Sequence, residues 1–294
     1  MRKINTGLGY EIELPTDYED LKVKAEKEID EILADYPKAR KLWNLMKNDP
    51  EVNANWDMAD FITTGILHYN DHGEVHAKIV AANALKMLKI LVENSEDVSF
   101  LTIKGVDLDD LFLIVLAGSL LHDIGNQVHR ENHNLHGVYL AIPILNRMLP
   151  QIYTKPEIMY EIRGHILHTI YAHEYEVDDL TLAAGLVGVA DGTDMTKGRG
   201  RLAYDLGNVN IHSVSALSVE NVEISKGERR PIRITIKFSN SAGIFQIEAH
   251  LAKKVSHSPL KDYVEIVAEA YPTGQTDYRI VHRIIVEEGK LKAY

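Results

Sequence analysis

One stretch, LDDLFLIVLAGSLLHDIG from Leu108 to Gly125, constrains this chain more than any other. From Leu111 to Leu121 it is apolar apart from one serine, which is too short for a bilayer span of about 20 residues and predicts a helix buried in a helical core. That helix runs directly into a histidine and an aspartate. Leu111, Val115, Gly118 and His122 follow i, i+4, i+7 and i+11, so the packed face itself delivers His122 at the final turn, and Gly125 fits the stop. The partial negative charge at a helix C-terminus favours a cation beside His122 and Asp123.

Other histidines repeat the theme. Ten of the 14 lie between His68 and His173. His68, His72 and His76 recur every four residues, but Asn70 to Gly73 looks like a helix entry, which leaves His76 inside the helix beside Ile79, Val80 and Ala84. Downstream, His133 pairs with His136, His165 with His168, and Asp191 with Asp194, each pair near one helix face. A single helical histidine is more often a surface or satisfied residue than a ligand. Repeated apolar helices that carry or end in His and Asp are different, because a buried ionisable group costs several kcal/mol unless it is paired or bound to a cation. With no cysteine in the chain, any such cation is held by N and O donors.

The texture divides the chain. Residues 1–57 predict a helical extension, Tyr18 to Met46 giving one or two helices before NDPE stops the pattern. Residues 58–205 predict an all-helical core with few β-branched alternations. Residues 206–294 change character: VNIHSVSALSVENVEIS, RPIRITIKFSN and YRIVHRIIVEEG predict about three strands, and a helical pattern lies between Ala242 and Ala270. The expected fold is mainly α, with a small C-terminal α+β domain. Charge follows the same border: 12 Lys+Arg against 10 Asp+Glu after residue 205, and 20 against 33 before it. The overall charge of −11 argues against general nucleic-acid binding. The opening MRKINTGLGYEIELP lacks an apolar segment after its two basic residues, so a cytoplasmic protein without a membrane span is expected.

The order His76, then His122-Asp123 in LLHDIG, then Asp191 in GVADGTDM resembles the H…HD…D pattern of the HD superfamily of metal-dependent phosphohydrolases, over about residues 58–203. That resemblance implies that His76, His122, Asp123 and Asp191 hold one divalent metal ion, with His122 and Asp123 at the centre of catalysis. A subset of the superfamily adds two histidines and a second ion bridged by the doublet's aspartate. His133 in HNLHG and His165 in EIRGHILH are similar to that pair, as in bacterial HD hydrolases of symmetric dinucleoside tetraphosphates. Asn126 stands where many members have lysine, and neither the features of the HD-GYP enzymes nor the Glu-Asp doublet of guanosine-tetraphosphate hydrolases is present.

The chemistry this implies is hydrolysis of a phosphoester or phosphoanhydride of a nucleotide or related small molecule. Coordination to a divalent ion lowers the pKa of water from about 16 to about 7, a larger effect than the roughly 10²- to 10⁴-fold contributed by a side-chain acid or base. One or two ions are expected, and Fe, Mn, Mg, Zn, Co and Ni all suit N/O donors. His129, Arg163, Lys197, Arg199 and Arg201 are candidate phosphate contacts because fixed positive charge stabilises the transition state; KGRGR equally suits a solvated loop. His72, His136, His168 and Asp194 are candidates for orienting ligands from behind. The alternative is a regulatory protein that binds metal or nucleotide without turnover and recruits a partner through residues 206–294. Strand edges in that segment also suit a homo-oligomer.

Overall fold

A computed structural model describes residues 2–5, 7–9, 11–14, 18–94, 105–196, 199, 211–270, 283–287 and 290–293. The fold is mainly α with a small α+β part at the C-terminal end, as the sequence predicts. A short hairpin, β1 (Arg2–Asn5) and β2 (Glu11–Leu14), precedes α1 (Tyr18–Ile32), α2 (Pro37–Met46) and α3 (Pro50–Asp60), which runs into a π-helical turn over Phe61–Ile66. The core helices follow: α4 (Glu74–Glu93), α5 (Leu108–Leu121), α6 (His133–Met148), α7 (Pro156–Tyr171) and α8 (Leu182–Thr193).

Helix α5 is the hub. Every residue from Asp110 to Leu121 is buried, and the helix packs against α2, α4, α7 and α8. Asp107 caps its N-terminus in a reciprocal box with Asp110, and Trp56 Nε1 donates to the Leu120 carbonyl at 2.8 Å near its C-terminal end. Gly118 lets α7 come close: a Cβ there would lie 2.0 Å from Thr169 Oγ1. The apolar run is therefore a central helix, and its position fixes where His122 and Asp123 emerge.

Beyond α9 (Ile211–Ala216) lies a five-stranded sheet in sequential order: β3 (Val219–Lys226), β4 (Ile232–Phe238), β5 (Val264–Ala270), β6 (Arg283–Glu287) and β7 (Lys290–Ala293). All pairings are antiparallel except β4 with β5, whose crossover is a continuous helical stretch, α10, formed by Ile244–Gln246, Ile247–Leu251 and Ala252–Ser256. The structure corrects two expectations here. Residues 264–270, expected to end a helix, form the central strand; Val264 to Ala268 are buried consecutively, a pattern that strand and helix share. Residues 211–216, expected as strand, are helical. Alternating Ile232, Ile234, Ile236 and Phe238 of β4 are all buried, and they belong to the same apolar cluster as Leu116, Leu88 and Trp43 of the helices. No described helix is long and apolar enough to cross a membrane.

Candidate metal centre

Two clusters of imidazoles and carboxylates meet at Asp123. In the first, His76 Nε2 lies 3.2 Å from His122 Nε2, 3.3 Å from Asp123 Oδ2 and 3.1 Å from Asp191 Oδ1. His122 Nε2 is 3.3 Å from the same Asp123 oxygen and 3.8 Å from Asp191 Oδ1. In the second, His133 Nε2 lies 3.1 Å from His173 Nε2, 3.3 Å from Asp123 Oδ1 and 3.1 Å from Glu174 Oε1. His173 Nε2 is 3.8 Å from both of those oxygens. Asp123 thus turns one oxygen to each cluster.

Second contacts fix the ring orientations. Nδ1 of His122, His133 and His173 each meets the carbonyl three residues upstream, those of Ser119, Arg130 and Ile170, at 2.7, 3.0 and 2.7 Å. A carbonyl only accepts, so each Nδ1 carries a proton, and it is Nε2 that each ring turns to the cluster. His76 sits inside a helix and instead points Nδ1 at Asp194 Oδ2, 2.7 Å away. Asp194 therefore stands behind a candidate ligand, in the orienting role expected of it.

Four acceptors facing one another at 3.1 to 3.8 Å repel unless positive charge lies among them. One proton satisfies one or two of these contacts; a divalent ion satisfies all four. With bonds of about 2.1 Å, neighbouring ligand atoms lie about 3.0 Å apart in an octahedron and about 3.4 Å in a tetrahedron; the contacts at 3.1 to 3.3 Å fall in that range, and the His122–Asp191 separation of 3.8 Å lies beyond it. The protonation tendencies express the same demand. Burial and Arg199 oppose charge on His76, yet Asp123, Asp191 and Asp194 raise it well above the ordinary imidazole range. Burial also opposes His133, which Asp123 and Glu174 nonetheless raise to about 9, while burial and His122 push His173 down to about 3. Asp123 is held well below the ordinary carboxylate range against its burial by His122 and His72, and Asp191 likewise by Lys254 and His76. These buried His/Asp groups could hold a metal ion.

Local sequence explains the convergence. Asp71 accepts from the Gly73 and His76 amides at 2.8 and 3.1 Å, fixing the entry of α4 that carries His76. The buried Arg199 donates to the carbonyls of Asp71 at 3.0 and 2.8 Å and of Asp194 at 2.8 Å, clamping that entry to the end of α8 where Asp191 sits. Asn126 donates from Nδ2 to Asp123 Oδ1 at 2.9 Å and accepts from Arg130 Nη1 at 3.2 Å, so it positions the carboxylate that the two clusters share. After the doublet the chain turns so tightly that a Cβ on Gly125 would lie 1.9 Å from the His133 carbonyl oxygen.

The structure brings His76, His122, Asp123, His133 and Asp191 together. His165 is a correction: it lies half-buried on α7 outside both clusters, and His173 with Glu174 stands where it was expected. Ile162, Ile166 and Ile170 form the buried face of α7, and His173 extends that row as i+11, whereas His165 falls on its flank. Among the proposed phosphate contacts, His129 is exposed and accepts from the Glu131 amide, and Arg163 bonds Asn146 and lies over the Tyr160 ring; neither lines the cleft beside the clusters. Arg199 lines the cleft but is engaged with the carbonyls just named. Lys197 and Arg201 lie outside the described residues. His72 lines the cleft, with its ring 5.7 Å from that of His76, and burial pushes its imidazole well below the ordinary range. His136 and His168 lie apart from both clusters.

Sequence reasoning missed His173, Glu174, Arg130 and Lys254. Lys254, on α10, pairs with Asp191 Oδ2 at 2.6 Å and donates to the His173 carbonyl at 2.8 Å. Arg130 Nη1 lies 3.3 Å from His133 Nε2, and Nη2 3.6 Å from Glu174.

The helical frame with its buried cluster defines a candidate metal-binding protein and is compatible with an HD-like fold. No family model matches the chain. No solved structure matches it. It is 47% identical over 224 residues, 76% of this chain and 86% of the relative, to the uncharacterized protein MJ1020 of Methanocaldococcus jannaschii, and the chain belongs to the same family as that protein.

Proposed function

We propose that this protein is a metal-dependent phosphohydrolase of the HD type, hydrolysing a phosphoester or phosphoanhydride of a nucleotide or related small molecule. One observation carries the reading: two pairs of buried imidazole Nε2 atoms, 3.2 and 3.1 Å apart, face each other on either side of a single carboxylate. His76, His122, Asp123 and Asp191 would hold one ion, and Asp123, His133, His173 and Glu174 a second. Bound there, two divalent ions would supply Lewis acidity and activate water for attack on phosphorus.

The chain's own groups do the rest. Asp123 keeps both halves of the site in register, and Asn126 and Arg130 hold Asp123 and the Glu174 side. Asp194 fixes the His76 ring and increases its basicity. The cleft of about 480 Å³ opens onto this side of the site and is large enough for a nucleotide-sized substrate. Arg130 and Lys254 line this cleft and give it positive charge, which would stabilise charge developing on phosphoryl oxygens.

The test is metal analysis of the purified protein, then assay of the loaded protein against phosphomonoesters, dinucleoside polyphosphates and cyclic dinucleotides. Turnover that is lost on chelation and absent from His122→Ala supports the reading. A protein that binds no first-row metal, or is inert with each of them, contradicts it.

A further inference from the structure

Among the described residues, two lysines are buried among carboxylates, and they differ in one respect. Lys78 is 1% exposed; its ammonium meets Glu26 Oε1 and Glu74 Oε1 at 2.5 Å each, and the rings of Trp43 and Trp56 lie 5.8 and 5.5 Å away. Its surroundings are closed. Lys254 is 6% exposed and its ammonium meets Asp191 Oδ2 at 2.6 Å and the His173 carbonyl at 2.8 Å. An ammonium has three donors. Two of them have these acceptors, and Lys254 lines the cleft, which leaves the third available to that space.

The neighbouring geometry says what would sit there. Asp191 points Oδ1 at the first cluster and Oδ2 at Lys254, so a ligand approaching that cluster from the cleft meets the ammonium one carboxylate's width away. Asp191 would share its charge between Lys254 and an ion held at Oδ1, which would weaken its hold on the ammonium and leave that desolvated group in need of an anion. The surrounding wall also belongs to the C-terminal segment. His212 and His250 line the cleft with Nδ1 and Nε2 3.3 Å apart, and Gln246 Nε2 ties down α9 through the His212 carbonyl at 2.7 Å and Ser215 Oγ at 2.8 Å.

We propose that Lys254 contacts a phosphoryl oxygen of the substrate, so that residues 211–256 form the substrate-facing wall of this site in cis. The choice of a phosphoryl anion rests on the phosphohydrolase reading; the position of the ammonium does not. Arg130 is engaged with Asn126 and Glu174, and Arg199 with backbone carbonyls, so Lys254 is the cleft cation best placed to bind an oxyanion.

The test is binding of inorganic phosphate to the metal-loaded full chain, by calorimetry, for wild type, Lys254→Met and Lys254→Arg, with metal content measured on each sample. We expect Lys254→Met to weaken phosphate binding about tenfold or more, the effect of losing one charge-assisted hydrogen bond, with metal content unchanged and Lys254→Arg largely restored. If Lys254→Met does not fold, Lys254→Gln is read in its place, since its amide can still donate to Asp191 and the His173 carbonyl. Wild type that binds no phosphate, a Lys254→Met protein that binds it as wild type does, or loss of metal along with Lys254 overturns the proposal. Lys254-dependent phosphate binding by a protein inert toward every ester would sink the hydrolase reading alone. Turnover with KM unchanged in Lys254→Met would sink this contact alone.

Discussion

The two clusters share Asp123 but are built differently. The first gathers His76, His122 and Asp191 from three helices of the core, and His76 and His122 have no solvent exposure. Its ring orientations depend on a carboxylate, Asp194, and on a carbonyl within α5. The second is assembled from loop and helix-end residues: His133 at the first position of α6, and His173 and Glu174 in the turn after α7. Glu174 lines the open cleft, and Arg130 lies against this cluster from the same side. The contrast implies unequal affinities. A site whose ligands are fixed by packed helices loses little entropy on binding an ion; one made from turns loses more.

Changes to the shared residue should have the largest effect. Asp123→Ala removes the bridge, so metal content should fall toward zero and any hydrolysis by about 10³-fold or more, as expected when several kcal/mol of metal-based stabilisation are lost; elemental analysis and steady-state assay check this. Next, His173→Ala should empty the second site and leave the first, while His165→Ala should keep the full complement. Equal metal content in those two variants would contradict the assignment of His173.

That pair of variants also marks what the sequence could reveal. His76, His122, Asp123 and Asp191 are legible because each lies on or just past an apolar helix, where a charged residue interrupts a clear period. His173 and Glu174 fall in HEYEV, a polar turn without a period, yet one signal was available. His173 stands eleven residues after Ile162, as His122 stands eleven after Leu111, and each histidine bonds the carbonyl three residues before it. Lys254 was not legible. Nothing within AKKVS distinguishes Lys254, which is buried beside Asp191, from Lys253, which lies over the Tyr175 ring; only the long-range packing of α10 on α8 separates them. The β5 strand was misread for a related reason, since a fully buried strand carries no alternation to distinguish it from a buried helix.

Smaller effects sharpen the contrast. Asp194→Asn should weaken binding at the first cluster about 10- to 100-fold, the usual consequence of removing a carboxylate behind a ligating histidine, with the second cluster little changed; titration with Mn²⁺ or Zn²⁺ would resolve the two. Gly125→Ala should do the reverse. Its Cβ would meet the His133 carbonyl, forcing apart the doublet and the start of α6, so the second site should weaken and thermal unfolding should reveal a loss of about 1–3 kcal/mol. Chelation should also lower the wild-type melting temperature, because ions bound only to the native chain stabilise it by about 2.7 kcal/mol when present at 100 times their dissociation constant.

The most direct measurement is metal stoichiometry per chain, by mass spectrometry of the intact native protein, for wild type beside His173→Ala. Two ions in the first and one in the second is the result predicted here. No ion in wild type, or the same number in both proteins, would contradict it.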